Sequence, residues 1–79
     1  MLTNQGYEII QSEATSRPGE RETGIAIARA LNPGAPSQWV TWRYAVRGDG
    51  FDFASGNYFS ERRMAFRDYH RRLMAEYDS

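Results

Sequence analysis

The chain has no cysteine and no lysine, and it has a single histidine, His70. Without cysteine there is no disulfide framework, no thiol nucleophile and no cysteine-ligated zinc or iron–sulfur cluster. One histidine cannot build a multi-histidine metal site, so we expect no metal. We expect no other cofactor either. No run of about 18 apolar residues occurs, which predicts that no helix of the chain spans a membrane.

Two further classes are disfavoured by the charge and by the first residues. Ten arginines balance ten acidic residues, so the formal net charge at pH 7 is zero. A protein that binds DNA over much of its surface is usually basic, and a DNA mimic is strongly acidic. Residues 1–6 lack the charged and apolar regions of a signal peptide, so we expect a cytoplasmic location.

The rest of the composition is that of a small folded domain. Hydrophobic residues make up 41% and aromatic residues 14% of the 79 residues, which argues against a disordered chain. This length allows one domain, residues 1–79. A domain of this size buries only about 60% of the surface of its unfolded chain, so a homodimer would add stability. The sequence leaves monomer and homodimer open.

Alternation of apolar and polar residues predicts strands in the first three quarters of the chain. In the second strand Ile25 and Ile27 alternate with glycine and alanine, which predicts one buried face. The predicted elements are strands at about 7–12, 23–31, 38–47 and 51–59 and a helix at about 61–77.

The helix is predicted from apolar residues at steps of three and four. Phe66, Tyr69 and Leu73 form one apolar stripe of this helix. Ser60 is the expected N-cap, and Glu61 is expected in the first turn, where an acidic residue suits the helix dipole.

The third and fourth strands are predicted to form a hairpin. Gly48 and Asp49 tolerate positive φ and favour a two-residue loop. This loop sets a register in which apolar residues of the third strand pair with apolar residues of the fourth. That match supports the predicted register. The predicted pairs are Val46–Phe51, Tyr44–Phe53, Arg43–Ala54, Thr41–Gly56 and Trp39–Tyr58.

These elements predict an α+β fold, an antiparallel sheet of about four strands with one C-terminal helix packed on one face. A single core is expected between the helix and the inner face of the sheet. Its predicted members are Ile25, Ile27, Val40, Trp42, Tyr44, Val46, Phe51, Phe53, Phe66, Tyr69 and Leu73.

The sequence does not predict an enzyme. His70 lies in the helix without a positioned partner, which general-base catalysis would need. The glycines around Asp49 lack the lysine and the strand–helix context of a phosphate-binding loop. Arg47-Gly-Asp49 spells the tripeptide that integrins bind, but in this place it is best explained as hairpin-turn chemistry.

Two candidate protein-binding surfaces follow from the predicted register. Trp39, Arg43 and Tyr58 share the sheet face away from the helix, and these residue types anchor many protein interfaces. Coverage of this face by a second copy or by the N-terminal segment, or a register that is off by one residue, is the alternative. Arg63 and Arg67 form a second patch on the helix, which suits a phosphate or an acidic group. A solvated helix face, balanced by acidic neighbours, is the alternative for this patch.

The C-terminal half of the chain carries a family resemblance, in Trp39-Val-Thr-Trp-Arg-Tyr44, Gly48-Asp-Gly-Phe-Asp-Phe53, Gly56-Asn-Tyr-Phe59 and Ala65-Phe-Arg-Asp-Tyr69. With this layout the chain resembles small anti-CRISPR proteins of phages and mobile elements, in particular those directed at type I (Cascade) systems. The resemblance implies an inhibitor in the cytoplasm of a bacterial host. Such an inhibitor binds a CRISPR effector subunit and blocks target-DNA recruitment, and no catalytic residue is implied.

The leading hypothesis is therefore a non-enzymatic protein-binding inhibitor of a type I surveillance complex. A first alternative is a small nucleic-acid-binding accessory protein that uses the arginine-rich helix. A second alternative is a homodimeric, antitoxin-like module.

Overall fold

The computed structural model describes residues 2–77, which form five strands and one helix. In chain order they are β1 (Thr3–Asn4), β2 (Tyr7–Ala14), β3 (Thr23–Ala30), β4 (Trp39–Arg47), β5 (Gly50–Phe59) and α1 (Arg62–Tyr77). The strands form one antiparallel sheet in the order β1-β2-β3-β4-β5. The α+β class, the antiparallel sheet and the C-terminal helix are as predicted. Among the described residues, no helix is long and apolar enough to cross a membrane.

The sheet has five strands where about four were predicted, because β1 adds a short edge strand. Asn4 pairs with Tyr7 across a two-residue loop. Both loop residues have positive φ, 51° at Gln5 and 85° at Gly6. A tight hairpin needs this conformation, and glycine adopts it without strain. Two residues are too few to show an alternating pattern, so no periodic signal could predict this strand.

The helix packs on only one of the two sheet faces. Ile25 and Ile27 of β3 lie on this face, where they pack against Ala65, Tyr69 and Leu73 of α1. Their partners on β4 are Arg43 and Thr41, which therefore share the same face. The helix face of the sheet is thus built around the isoleucines of β3.

The prediction of a single core is wrong, because β4 turns its largest residues to the other face. Val40 and Trp42 pair with Ala28 and Ala26, and they form a second buried cluster away from the helix. Phe51, predicted in the core, is 43% exposed. The large β4 side chains cover the small β3 side chains by themselves, so that face needs no helix.

The β4–β5 hairpin follows the predicted register only near its turn. The pairs Val46–Phe51, Tyr44–Phe53 and Arg43–Ala54 are confirmed, and Gly48 has a positive φ of 54°. A bulge at Ser55 and Gly56 then inserts one extra residue into β5, and Ser55 has a φ of 57°. Beyond the bulge the predicted pairs are wrong by one residue. Thr41 pairs with Asn57, and Trp39 pairs with Phe59.

A second bulge, in β2, settles which isoleucine of that strand is buried. The register of β2 on β3 shifts between Ile9 and Gln11, so Ile10 is the extra residue. Ile9 packs against the cluster around Trp42, whereas Ile10 is 41% exposed.

The helix begins one residue later than its predicted cap implies. Its first residue is Arg62, and the carbonyl of Glu61 accepts a hydrogen bond of 3.2 Å from the amide of Ala65. Glu61 therefore occupies the N-cap position that was predicted for Ser60. The first turn of the helix consequently contains no acidic residue.

Candidate functional site

The predicted surface of Trp39, Arg43 and Tyr58 does not exist as one surface. Trp39 is half-buried on the helix face, with its ring centroid 6.3 Å from that of Phe66. Arg43 lies on the same face and forms an ion pair with Glu76 of α1. Tyr58 pairs with Val40 and lies on the opposite face of the sheet. Two causes separate the three residues. The bulge in β5 places Tyr58 on the other face from Trp39 and Arg43, and the helix packs on the face that carries Trp39 and Arg43.

The sheet face away from α1 instead carries a continuous row of six aromatic rings. Neighbouring ring centroids in this row are 5.3 to 6.1 Å apart, the range of favourable aromatic pairs. We call this surface the aromatic face, and its rings in order of contact are those of Tyr44, Phe51, Phe53, Trp42, Tyr7 and Tyr58.

Small residues beneath two of these rings explain why the rings lie close to the backbone of the sheet. A Cβ at Gly24 would lie 2.6 Å from the Tyr44 ring, and a Cβ at Gly56 would lie 2.8 Å from Nε1 of Trp42. Because both sites are glycine, the rings pack directly on the backbone. Trp42 and Tyr44 are consequently buried, although no helix covers this side.

The outer rings of the aromatic face remain open to solvent. Phe51 and Tyr58 are 43% and 49% exposed, and Leu2 beside them is 41% exposed. A cavity of about 90 Å³ opens between Leu2, Ile9 and Phe51. Exposed apolar residues that cluster in this way mark contact sites more often than isolated ones do.

The aromatic face carries little charge. Strand arginines Arg29 and Arg43 pair with Trp39 and Ile25, which places both on the helix side. A carboxylate at the aromatic face, that of Glu22, accepts a hydrogen bond of 2.9 Å from the Tyr44 hydroxyl. Burial, and then this carboxylate, raise the pKa of Tyr44 well above its usual range. The face is therefore mainly aromatic and poor in charge.

A buried carboxylate joins the helix to the sheet on the other side. Asp68 of α1 is only 3% exposed. Its carboxylate accepts hydrogen bonds from the Thr41 hydroxyl at 2.6 Å and the Asn57 amide at 3.1 Å. Arg71 also donates to it, and Nε of Arg72 lies 3.8 Å away. This cluster was not predicted from the sequence.

The pKa of Asp68 is lower than its ordinary value. Burial alone would raise this pKa, but hydrogen bonds from Thr41, Asn57 and Arg71, with the charge of Arg72, outweigh burial. The ionised carboxylate is therefore the form that the fold stabilises.

This direction predicts how stability changes with acid. The contribution of Asp68 is complete above the pKa of the unfolded chain, and it is lost as the pH falls through the lower pKa of the folded protein. We expect wild type to be more stable than Asp68→Asn at pH 7, with a gap that narrows below about pH 4. Urea unfolding of both proteins over this range measures the gap. A gap that stays constant with pH would contradict the assignment.

Arg63 and Arg67, the second predicted patch, are both exposed on α1. Within residues 2–77 neither forms an ion pair, whereas Arg71 and Arg72 interact with Asp68. Arg62 lies over the Phe66 ring, with its guanidinium carbon 4.7 Å from the ring centroid. The helix thus presents free cations on the side opposite the aromatic face.

His70 is exposed, and its ring packs 5.3 Å from the ring of Tyr69. Across residues 2–77 there is no group of three or more histidine, aspartate or glutamate side chains placed to hold a metal ion.

The aromatic face was missed because four of its residues, Trp42, Tyr44, Phe51 and Phe53, were assigned to the core beneath the helix. A signal for it existed in the sequence. Strand β3 places Gly24, Ala26 and Ala28 on one face and Ile25 and Ile27 on the other. Large rings of a neighbouring strand fit over the small residues, which leaves the isoleucines for the helix.

Comparisons of this chain with protein-family models, with curated proteins and with solved structures found no match.

Proposed function

We propose that the chain is a non-enzymatic protein-binding inhibitor that contacts its partner through the aromatic face. The observation that carries the proposal is the exposure of Phe51 and Tyr58, two rings that lie far apart in one continuous row of rings. Rigid aromatic side chains supply much contact area at a low cost in conformational entropy, and they are enriched among the anchors of protein interfaces.

The low charge favours a protein over a nucleic acid as the partner of this face. A nucleic-acid surface needs cations beside its stacking rings, because phosphates dominate the binding free energy. The strand arginines Arg29 and Arg43 lie on the helix side instead. An aromatic surface that is poor in charge fits an apolar patch on another protein.

The buried carboxylate of Asp68 is already occupied, which supports a role without catalysis. Asp68 is held in its ionised form by its hydrogen bonds from Thr41 and Asn57. A general base must instead reach the proton that it abstracts.

The specific partner that we propose is a subunit of a type I CRISPR surveillance complex, and binding blocks recruitment of target DNA. The family resemblance of the C-terminal half supports this partner. The aromatic face supplies a surface through which such an inhibitor would act by steric occlusion.

The test is to replace the exposed rings and measure binding to purified type I surveillance complexes. We expect wild type to bind a complex and reduce its affinity for target DNA. Phe51→Thr and Tyr58→Thr should each weaken binding by more than about 1 kcal/mol, or about fivefold or more, since they remove interface anchors. Calorimetry and a target-DNA gel shift measure the two effects.

Met74→Gln is the matched control, because Met74 is 60% exposed on α1, away from the aromatic face. It should bind as wild type does. Absence of binding to every complex tested would refute the specific partner. Wild type that dimerises in analytical ultracentrifugation, with a dimer lost in Phe51→Thr, would show that a second copy occupies the face and would refute the general proposal.

A further inference from the structure

The outward side of α1 carries a row of arginines, and the two acidic residues of the helix are turned toward the sheet. The helix contains five arginines and two acidic residues. Both acidic residues face the sheet, since Asp68 is buried and Glu76 binds Arg43. Arg63, Arg67 and Arg71 follow each other at four-residue steps, about 6 Å apart along the helix axis. We call these three residues the arginine ridge.

Two members of the ridge are available to an external anion. Arg63 and Arg67 are exposed and form no ion pair within the described part of the chain. Arg71 donates to Asp68, yet its side chain is 74% exposed, so its guanidinium can be shared with a second acceptor. The ridge therefore offers two to three cations over about 12 Å.

The first turn of the helix carries an unfavourable charge. It starts with Arg62 and Arg63 and contains no acidic residue. Cations at this end oppose the helix dipole and destabilise the helix. Residues that are unfavourable for stability occur most often where they serve a function. The two arginines in the first turn are unfavourable in this way, which supports a binding role for them.

We propose that the arginine ridge binds the phosphate backbone of a nucleic-acid duplex without reading its sequence. The guanidinium group matches phosphate by paired hydrogen bonds. A duplex presents roughly seven phosphate charges in any 12 Å of its axis, so a straight row of cations finds partners in many registers. The exposed residues of α1 near the ridge are Met64, His70 and Met74. Phe59, which lines a shallow pocket with Arg67 and Arg71, is half-buried, so it does not offer the open ring face on which a single-stranded base stacks.

Duplex binding by the ridge goes beyond the proposed protein contact and is independent of it. The ridge and the aromatic face lie on opposite sides of the sheet. Only two or three phosphates are contacted, so binding must be weak and its dependence on salt correspondingly modest. The zero net charge of the chain is consistent with such a small contact.

The test is fluorescence anisotropy with a labelled DNA duplex of arbitrary sequence, at several salt concentrations. We expect the logarithm of the association constant to fall with the logarithm of salt concentration at a slope of about −2 to −3. Arg63→Gln and Arg67→Gln should each reduce the magnitude of this slope by about 1. Absence of binding at low salt, or an unchanged slope in both variants, would overturn the proposal.

Further variants and one competing ligand distinguish duplex binding from a structural or protein-binding role of the ridge. Arg21→Gln, an exposed arginine of the β2–β3 loop, should keep the wild-type slope. Arg63→Glu should raise Tm by a few degrees, because a glutamate in the first turn suits the helix dipole, and it should weaken duplex binding roughly fivefold or more.

The competing ligand is polyglutamate. If polyglutamate bound more tightly than the duplex, and if the same variants lost this binding, the proposal would be overturned and the ridge would be assigned to an acidic protein segment. Phe51→Thr should leave duplex binding unchanged. Failure of duplex binding by the ridge can therefore be distinguished from failure of protein binding by the aromatic face.

Discussion

Asp68→Asn is expected to destabilise the protein by about 3 kcal/mol, because it removes the charge of a buried carboxylate that accepts hydrogen bonds and interacts with two arginines. The carboxylate of Asp68 accepts hydrogen bonds from Thr41 and Asn57 and is only 3% exposed. Asparagine keeps the shape but presents donors to groups that are themselves donors. Since a domain of this length has a stability of about 4–12 kcal/mol, such a loss is easily measured by urea unfolding.

Asp52→Asn is the control for this prediction. Asp52 also forms an ion pair with an arginine, Arg47, but both side chains are more than half exposed. Exposed pairs contribute little, so we expect a change within about 0.5 kcal/mol. Equal effects of the two substitutions would show that burial of Asp68 does not determine its contribution.

Gly24→Val is expected to destabilise the protein by about 3 kcal/mol through overpacking. A Cβ at this position would clash with the carbonyl oxygen of Glu13 and lie 2.6 Å from the Tyr44 ring. The clash with Glu13 cannot be relieved by a rotamer change, because its carbonyl belongs to the backbone of the paired strand β2. We expect a fall in Tm of more than about 10 °C, measured by calorimetry.

Gly50→Ala tests whether the effect comes from space or from glycine itself. At Gly50 the nearest atom to a new Cβ is 3.9 Å away, and no positive φ is required there. This substitution should change stability by less than about 0.5 kcal/mol. If Gly24→Val were equally harmless, the Tyr44 ring would not pack directly on the backbone of β3.

Local patterns were enough to predict the four longer strands, the helix and the turn of the β4–β5 hairpin. The alternation in β4 is strong, and Gly48 provides the positive φ that its loop needs. The register beyond Ser55 was not predictable in this way. The only sequence signal of the bulge is a serine followed by a glycine, which is weak. Because the bulge adds one residue to β5, each pair between β4 and β5 beyond it shifts by one residue.

The candidate surfaces were harder to predict, because they depend on which face the helix selects. Both faces of β4 carry a tryptophan, Trp39 on one side and Trp42 on the other, so periodicity could not choose between them. The choice follows from packing between strands, in which Tyr44 and Trp42 cover the small residues of β3. Arg63 and Arg67 were located correctly, because exposure on a helix follows directly from its periodicity.

The bulge at Ser55 also bears on how the chain avoids aggregation. Strand β5 is ten residues long and lies at the edge of the sheet, where free backbone donors and acceptors invite other chains to add as strands. The bulge bends this strand near its middle, and a guanidinium nitrogen of Arg72 donates to the carbonyl of Ser55. The edge is thus divided into two short stretches, neither of which is a good template for a fibril. Strand addition at this edge is therefore disfavoured by the same bulge that sets the register of the hairpin.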